Sequence, residues 1–110
     1  MTRALGLLRG QVVVADLPAV GRKLGLVVSN NARNQAFRDV LVARLTTTAP
    51  KAPRAAAIEL DQRRDGFTGW VICDDIAAVT TATVSSVPGA LPPSTMRLVD
   101  RGLRAALGLT

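Results

Sequence analysis

The chain has 110 residues, 48% of them hydrophobic: enough apolar side chain for a buried core in one domain over 1–110, and too much for intrinsic disorder. Lys and Arg number 14 against 8 Asp and Glu, and the net charge of +6 favours a polyanionic partner, nucleic acid foremost, over a merely Arg-rich soluble surface. There is no histidine and only one cysteine, which removes His-based triads, imidazole metal ligands and an internal disulfide, and fits a reducing cytoplasm. The opening "MTRALGLLRGQVVVADL" has no small-residue cleavage site, and no apolar run approaches the ~20 residues that span a bilayer, so neither a signal peptide nor a membrane partner is expected. Val12 to Leu17 is β-branched and stopped by Pro18, which predicts a first strand. Leu24 to Ser29 predicts a second, joined to the first in a hairpin through the short, Gly21-containing link. At the mouth of that second strand stand two cations, Arg22 and Lys23.

The Asn-rich stretch 30–37 suits a turn or a single helical turn. A third strand is predicted over Val40 to Leu45, running into Thr46, Thr47 and Thr48. Two prolines and two cations, Lys51 and Arg54, make 49–55 an exposed basic loop. Ala57 to Leu60 reads as a strand, 61–69 as a charged turn, and Trp70 to Cys73 as a buried strand that Ile76 to Val79 continues past Asp74 and Asp75. Trp70 is expected in the core; with only two other aromatic residues, Phe37 and Phe67, a base-stacking platform is poorly supplied. One more small strand is expected near Val84 to Val87. From Ser94 onward Met96, Val99, Leu103 and Leu107 recur at helical spacing, opposite Arg97, Asp100, Arg101 and Arg104, with Pro93 and Gly108 suited to the two ends. Short strands followed by one amphipathic helix predict a mainly β, α+β fold: a small, strongly bent sheet or open barrel with the helix packed on it.

Five blocks, in order, resemble the MazF/PemK family of toxin endoribonucleases: "LRGQVVVADL" from Leu8, "RKLGLVVSNNARN" from Arg22, "VLVARLTT" from Val40, "GWVICDDIAAV" from Gly69 and "PGALPPSTMRLVDRGLRAALGL" from Pro88. The similarity spans Arg9 to Leu109. It implies an SH3-like barrel of the CcdB/MazF type, built of short antiparallel strands with a C-terminal helix, and a homodimer in the cytoplasm. It also implies metal-independent, cofactor-free cleavage of single-stranded RNA, and neutralisation by an antitoxin with an acidic tail. The family pairs an arginine at the start of the second strand with a threonine or serine at the end of the third. The hydroxyl position matches Thr46. The arginine position falls on Lys23, with Arg22 beside it, which departs from the family pattern. The link 18–23 is also shorter than the family's first loop, which implies a more open groove.

Such cleavage uses the ribose 2′-OH as nucleophile, and stabilising the charge that builds on the phosphoryl oxygens is its largest catalytic requirement. The residues assigned to catalysis are Lys23, Thr46 and Arg22; those assigned to RNA binding are Arg22, Lys23, Thr47, Lys51, Arg54 and Asp74. Thr46 can donate a hydrogen bond to a phosphoryl oxygen while Lys23 or Arg22 holds the charge. Lysine lacks the arginine fork, but burial or an adjacent cation favours release of its proton, so a lysine base and a weakened enzyme are both open. Adjacent strand residues face opposite ways, and spacing favours Lys23. Alternatively, both cations are solvated hairpin charges that guard an apolar strand. A binding protein on the same fold, either resembling the gyrase-poisoning CcdB toxins or sequestering RNA or an antitoxin, is the competing functional class. The chain end "AALGLT" lacks the aromatic residue that CcdB proteins use.

Overall fold

The computed structural model describes residues 6–52 and 54–109; the first residues of the stretch considered for a leader, and Pro53 of the basic loop, lie outside them. Strands β1 (Gln11–Leu17) and β2 (Gly21–Val27) form the expected hairpin, paired from Val12↔Leu26 to Leu17↔Gly21. Its turn needs left-handed backbone at Ala19 (φ 66°) and Gly21 (φ 82°), and the Val20 amide closes it on the Leu17 carbonyl at 3.2 Å. Strand β2 starts three residues earlier than the apolar pattern suggests. The reason is the Asp16↔Arg22 cross-strand pair, whose carboxylate and guanidinium meet at 3.1 Å and hold the polar end of the hairpin together.

Beyond β2 the chain leaves the ladder at Ser29. Its buried hydroxyl donates to the Asn34 side chain and accepts from the Leu41 amide at 3.0 Å, while the Asn34 amide group donates to the Ser29 carbonyl at 3.0 Å. These bonds seat helix α1 (Asn31–Ala36), capped by the Asn30 side chain on the Arg33 amide at 2.8 Å. Strand β3 (Asp39–Thr46) follows, then the loop, then β4 (Ala57–Leu60). The charged stretch expected to be a turn is helix α2 (Gln62–Asp65), with Asp61 capping the Arg63 and Arg64 amides and Gly66 left-handed at its end.

Strand β5 (Gly69–Thr80) is continuous but irregular. Against β3, Arg44 pairs with Ile72 and Ala43 with Ile76, so Cys73, Asp74 and Asp75 bulge out of the ladder. After a 3₁₀ turn at Thr81–Thr83, β6 (Ser86–Ala90) returns along β1. The antiparallel sheet has the order β4-β5-β3-β2-β1-β6.

Helix α3 (Pro93–Leu107) covers one face of this sheet. Beneath it lie Val12, Leu26, Ala43, Leu45, Val71 and Cys73, packed with Val99 of the helix. The other face carries a second cluster, with Val13, Ala15, Val27, Val40, Val42 and Val79 among its members. The helix buries Thr95, Val99 and Gly102, whereas Leu107 is 60% exposed, so the apolar stripe read from the sequence is rotated at its C-terminal end. Gly102 sets that rotation: a Cβ there would come within 2.7 Å of the Cys73 sulfur. Thr95 donates a hydrogen bond to the buried Asp65, which also forms an ion pair with Arg64 at 2.8 Å. Arg9 fastens the start of β1 to the helix through Asp100 at 2.6 Å. No helix among the described residues is long and apolar enough to cross a membrane.

Candidate functional site

Register decides which predicted site residues meet. The β2–β3 ladder runs Val27↔Val42, Leu26↔Ala43, Gly25↔Arg44 and then stops. Continued by two residues, the same register sets Lys23 opposite Thr46, on the face away from α3. Leu24 and Leu45, their immediate neighbours, pack with the cluster under the helix, so the odd residues of β2 and the even residues of β3 share the open face. Along that face the apolar cluster ends at Val27 and Val42, and Arg44, Thr46 and Lys23 follow toward solvent. Lys23 is exposed, and it forms no ion pair among the described residues.

Arg22 is not brought to this place. Its guanidinium lies with Asp16 and donates to the Thr83 carbonyl at 3.4 Å, on the other side of the strand. Lys23 is thus exposed rather than buried, and the adjacent Arg22 cation is paired with Asp16.

Thr46 closes β3, and its backbone pairs with Trp70 at the start of β5. Its hydroxyl accepts from the Thr48 amide at 3.1 Å, which leaves the hydroxyl proton free to be donated outward. Gly69 makes this approach feasible. Its φ is 102°, and a Cβ at that position would sit 3.0 Å from the Thr46 carbonyl carbon and closer still to the oxygen. Thr47 is exposed at the turn that follows.

The basic loop forms a groove of about 330 Å³ beside the site, lined by Lys51, Arg54, Glu59 and Trp70 among others. Trp70 is thus a correction to the sequence reading. It is half-buried on the groove face, and Val71 and Cys73 take the core positions. Asp74 and Asp75, lifted out of the ladder by the bulge, each hold an arginine: Asp74 with Arg54 and Asp75 with Arg44, both at 2.6 Å. The Arg54 hydrogen bond holds the Asp74 carboxyl below its ordinary value. Arg54 therefore offers its charge to another anion only by leaving Asp74, whereas Lys51 forms no such pair among the described residues.

Arg44 and Glu59 join the site without having been singled out in the sequence. A period-two count from Thr46 identifies Arg44, but Glu59 becomes visible only through the Glu59↔Trp70 pairing.

A family model described as a PemK-like, MazF-like toxin of a type II toxin–antitoxin system matches residues 8–107. Among curated proteins, the chain is 40% identical over 102 residues to endoribonuclease MazF1 of Mycobacterium bovis and to endoribonuclease MazF4 of Mycobacterium tuberculosis, covering 93% of this chain and 93% of each relative. Among solved structures, an endoribonuclease from a mycobacterial species superposes with a TM-score of 0.86 at 35% identity, over 98% of this chain and 97% of that one. A second, an endoribonuclease in complex with its cognate antitoxin, also mycobacterial, gives 0.85 at 36% identity, over 94% and 97%. The curled antiparallel sheet with its terminal helix is common to them.

Proposed function

Because this chain belongs to the PemK-like, MazF-like toxins of type II toxin–antitoxin systems, we propose that it is a metal-independent endoribonuclease of single-stranded RNA. It works in the cytoplasm as a homodimer, a single domain over 1–110, held in check by an antitoxin with an acidic segment. The observation that carries this reading is the β2–β3 register, Val27↔Val42 to Gly25↔Arg44, which if continued by two residues sets Lys23 opposite Thr46. In the reaction the ribose 2′-oxygen bonds to phosphorus as its proton passes to water, and the bond from phosphorus to the 5′-oxygen breaks, that oxygen taking a proton from water to leave as a hydroxyl. Thr46 donates a hydrogen bond to a non-bridging oxygen, and the Lys23 ammonium holds the growing negative charge as a point cation. Lys51, and Arg54 on release from Asp74, position neighbouring phosphates. The engagement of Asp74 and Asp75 with arginines supports a mechanism that asks no metal of them.

Purified protein should cut single-stranded RNA in excess chelator, leaving a 2′,3′-cyclic phosphate and a free 5′-hydroxyl. Lys23→Ala and Thr46→Ala should each lose on the order of 10²-fold in rate. Intact RNA at catalytic protein concentrations would reject the nuclease. Retained RNA or antitoxin binding alongside intact RNA would select the second reading, a silent binding protein, which the lysine at position 23 favours.

A further inference from the structure

We propose that Trp70 is a base-stacking, specificity-setting residue, and that the base it takes carries an exocyclic amino group; this rests on the nuclease reading above. Trp70 pairs directly with Thr46 across β3 and β5 and with Glu59 across β4 and β5. Residues opposite one another in an antiparallel pair share a face, with Cβ atoms about 4.5–5.5 Å apart. A nucleotide whose phosphate lies at Thr46 therefore has a base within reach of the indole.

The ring is placed for this role. It stays half-buried in the groove while its strand neighbours Val71 and Cys73 fill the core, and Lys51 and Arg54 line the same groove. An aromatic face flanked by backbone-binding cations is the general platform for single-stranded nucleic acid. At about 330 Å³ the groove has room for a base with its sugar. Glu59 adds the selectivity. Its carboxylate only accepts hydrogen bonds, so beside the indole it favours the exocyclic amino groups of cytosine, adenine or guanine over uracil, whose one base donor, N3–H, is flanked by two carbonyl oxygens that repel a carboxylate.

Trp70 is the sole tryptophan of the chain, so its fluorescence reports on this contact alone. The cut sites are first mapped on a long single-stranded RNA in chelator. A short oligonucleotide of the mapped site, with 2′-deoxyribose at the cut position, then serves as the probe. It should quench Trp70, and replacing one nucleotide, an amino-bearing one, by an abasic residue should abolish the quench and weaken binding about tenfold to a hundredfold. Trp70→Ala should bind the intact and abasic oligonucleotides equally, Trp70→Phe should restore most of the affinity, and Glu59→Gln should relax base preference at that one position. A quench indifferent to every abasic replacement, wild type and Trp70→Ala weakened alike by each, or a uracil at the sensitive position would overturn the inference while the nuclease stands. A wild-type protein that neither cuts nor binds RNA would overturn both.

Discussion

Arg22 and Lys23 are adjacent cations with different surroundings, and replacing them singly separates a charge on the site from a charge near it. Arg22 is tied to Asp16 across the hairpin, and this surface pair is worth ~1 kcal/mol at most, so Arg22→Ala should change the cleavage rate by less than about fivefold. Lys23→Arg should keep or raise the rate, because a guanidinium grips two phosphate oxygens where an ammonium grips one. Equal losses for Arg22→Ala and Lys23→Ala in single-turnover assays would refute this division. A different residue governs acid stability. Burial alone would raise the Asp65 carboxyl, but hydrogen bonds from Arg64, Thr95 and the Asp61 amide outweigh it and hold the group below its ordinary value. A carboxyl depressed in the folded state contributes stability that is complete above its unfolded value of about 3.9 and fades as pH falls through the lower folded value. Asp65→Asn should therefore cost about 2 kcal/mol at pH 7 and flatten the acid limb below pH ~4, read from urea melts across that range. An unchanged acid limb would assign the depressed carboxyl no part in stability.

Among the elements, β5 does most to build the site, because its first residue fixes the last residue of β3. Gly69→Ala combines a strained positive φ with a clash against the Thr46 backbone. It should lower both melting temperature and cleavage rate, the stability loss exceeding ~1 kcal/mol. Full activity with a normal melt would mean that the Thr46 position tolerates displacement. The alternation and helical spacing that make β1, β3, β4 and α3 legible in sequence are local signals, and these elements lie within a residue or two of expectation. Helix α2 also had a local signal, Asp61 before and Gly66 after, masked by a run of charge; its buried Asp65 depends on Thr95, thirty residues away. Trp70 shows the limit of the same logic. Period two separates Trp70 and Ile72 from Val71 and Cys73, but which pair meets α3 is decided by packing from the far end of the chain. The proposed pairing of Lys23 with Thr46 is likewise a matter of long-range register, and only the family blocks pointed to it.

At the scale of the whole molecule the positive charge is unevenly available. Six arginines are engaged by carboxylates among the described residues, and since each such pair is neutral, the formal excess rests on the cations outside them. Lys23 and Lys51 are both exposed and stand outside those pairs, so on the proposed reading their charge is available to RNA phosphates. RNA affinity should accordingly fall with salt, and Lys51→Ala should make the log–log slope shallower by about 0.7 without altering which sequence is cut. An unchanged slope would put Lys51 outside the RNA path. The two apolar layers on either side of the sheet bear on a different property, because the single thiol lies in one of them. Cys73 is fully buried under Gly102, and burial together with Asp74 pushes it up to about 11. In the docked state it presents neither an accessible sulfur nor a thiolate to an alkylating reagent at neutral pH. Its labelling rate would then act as a stopwatch on the terminal helix, ticking only when that helix breathes away from the strands beneath it.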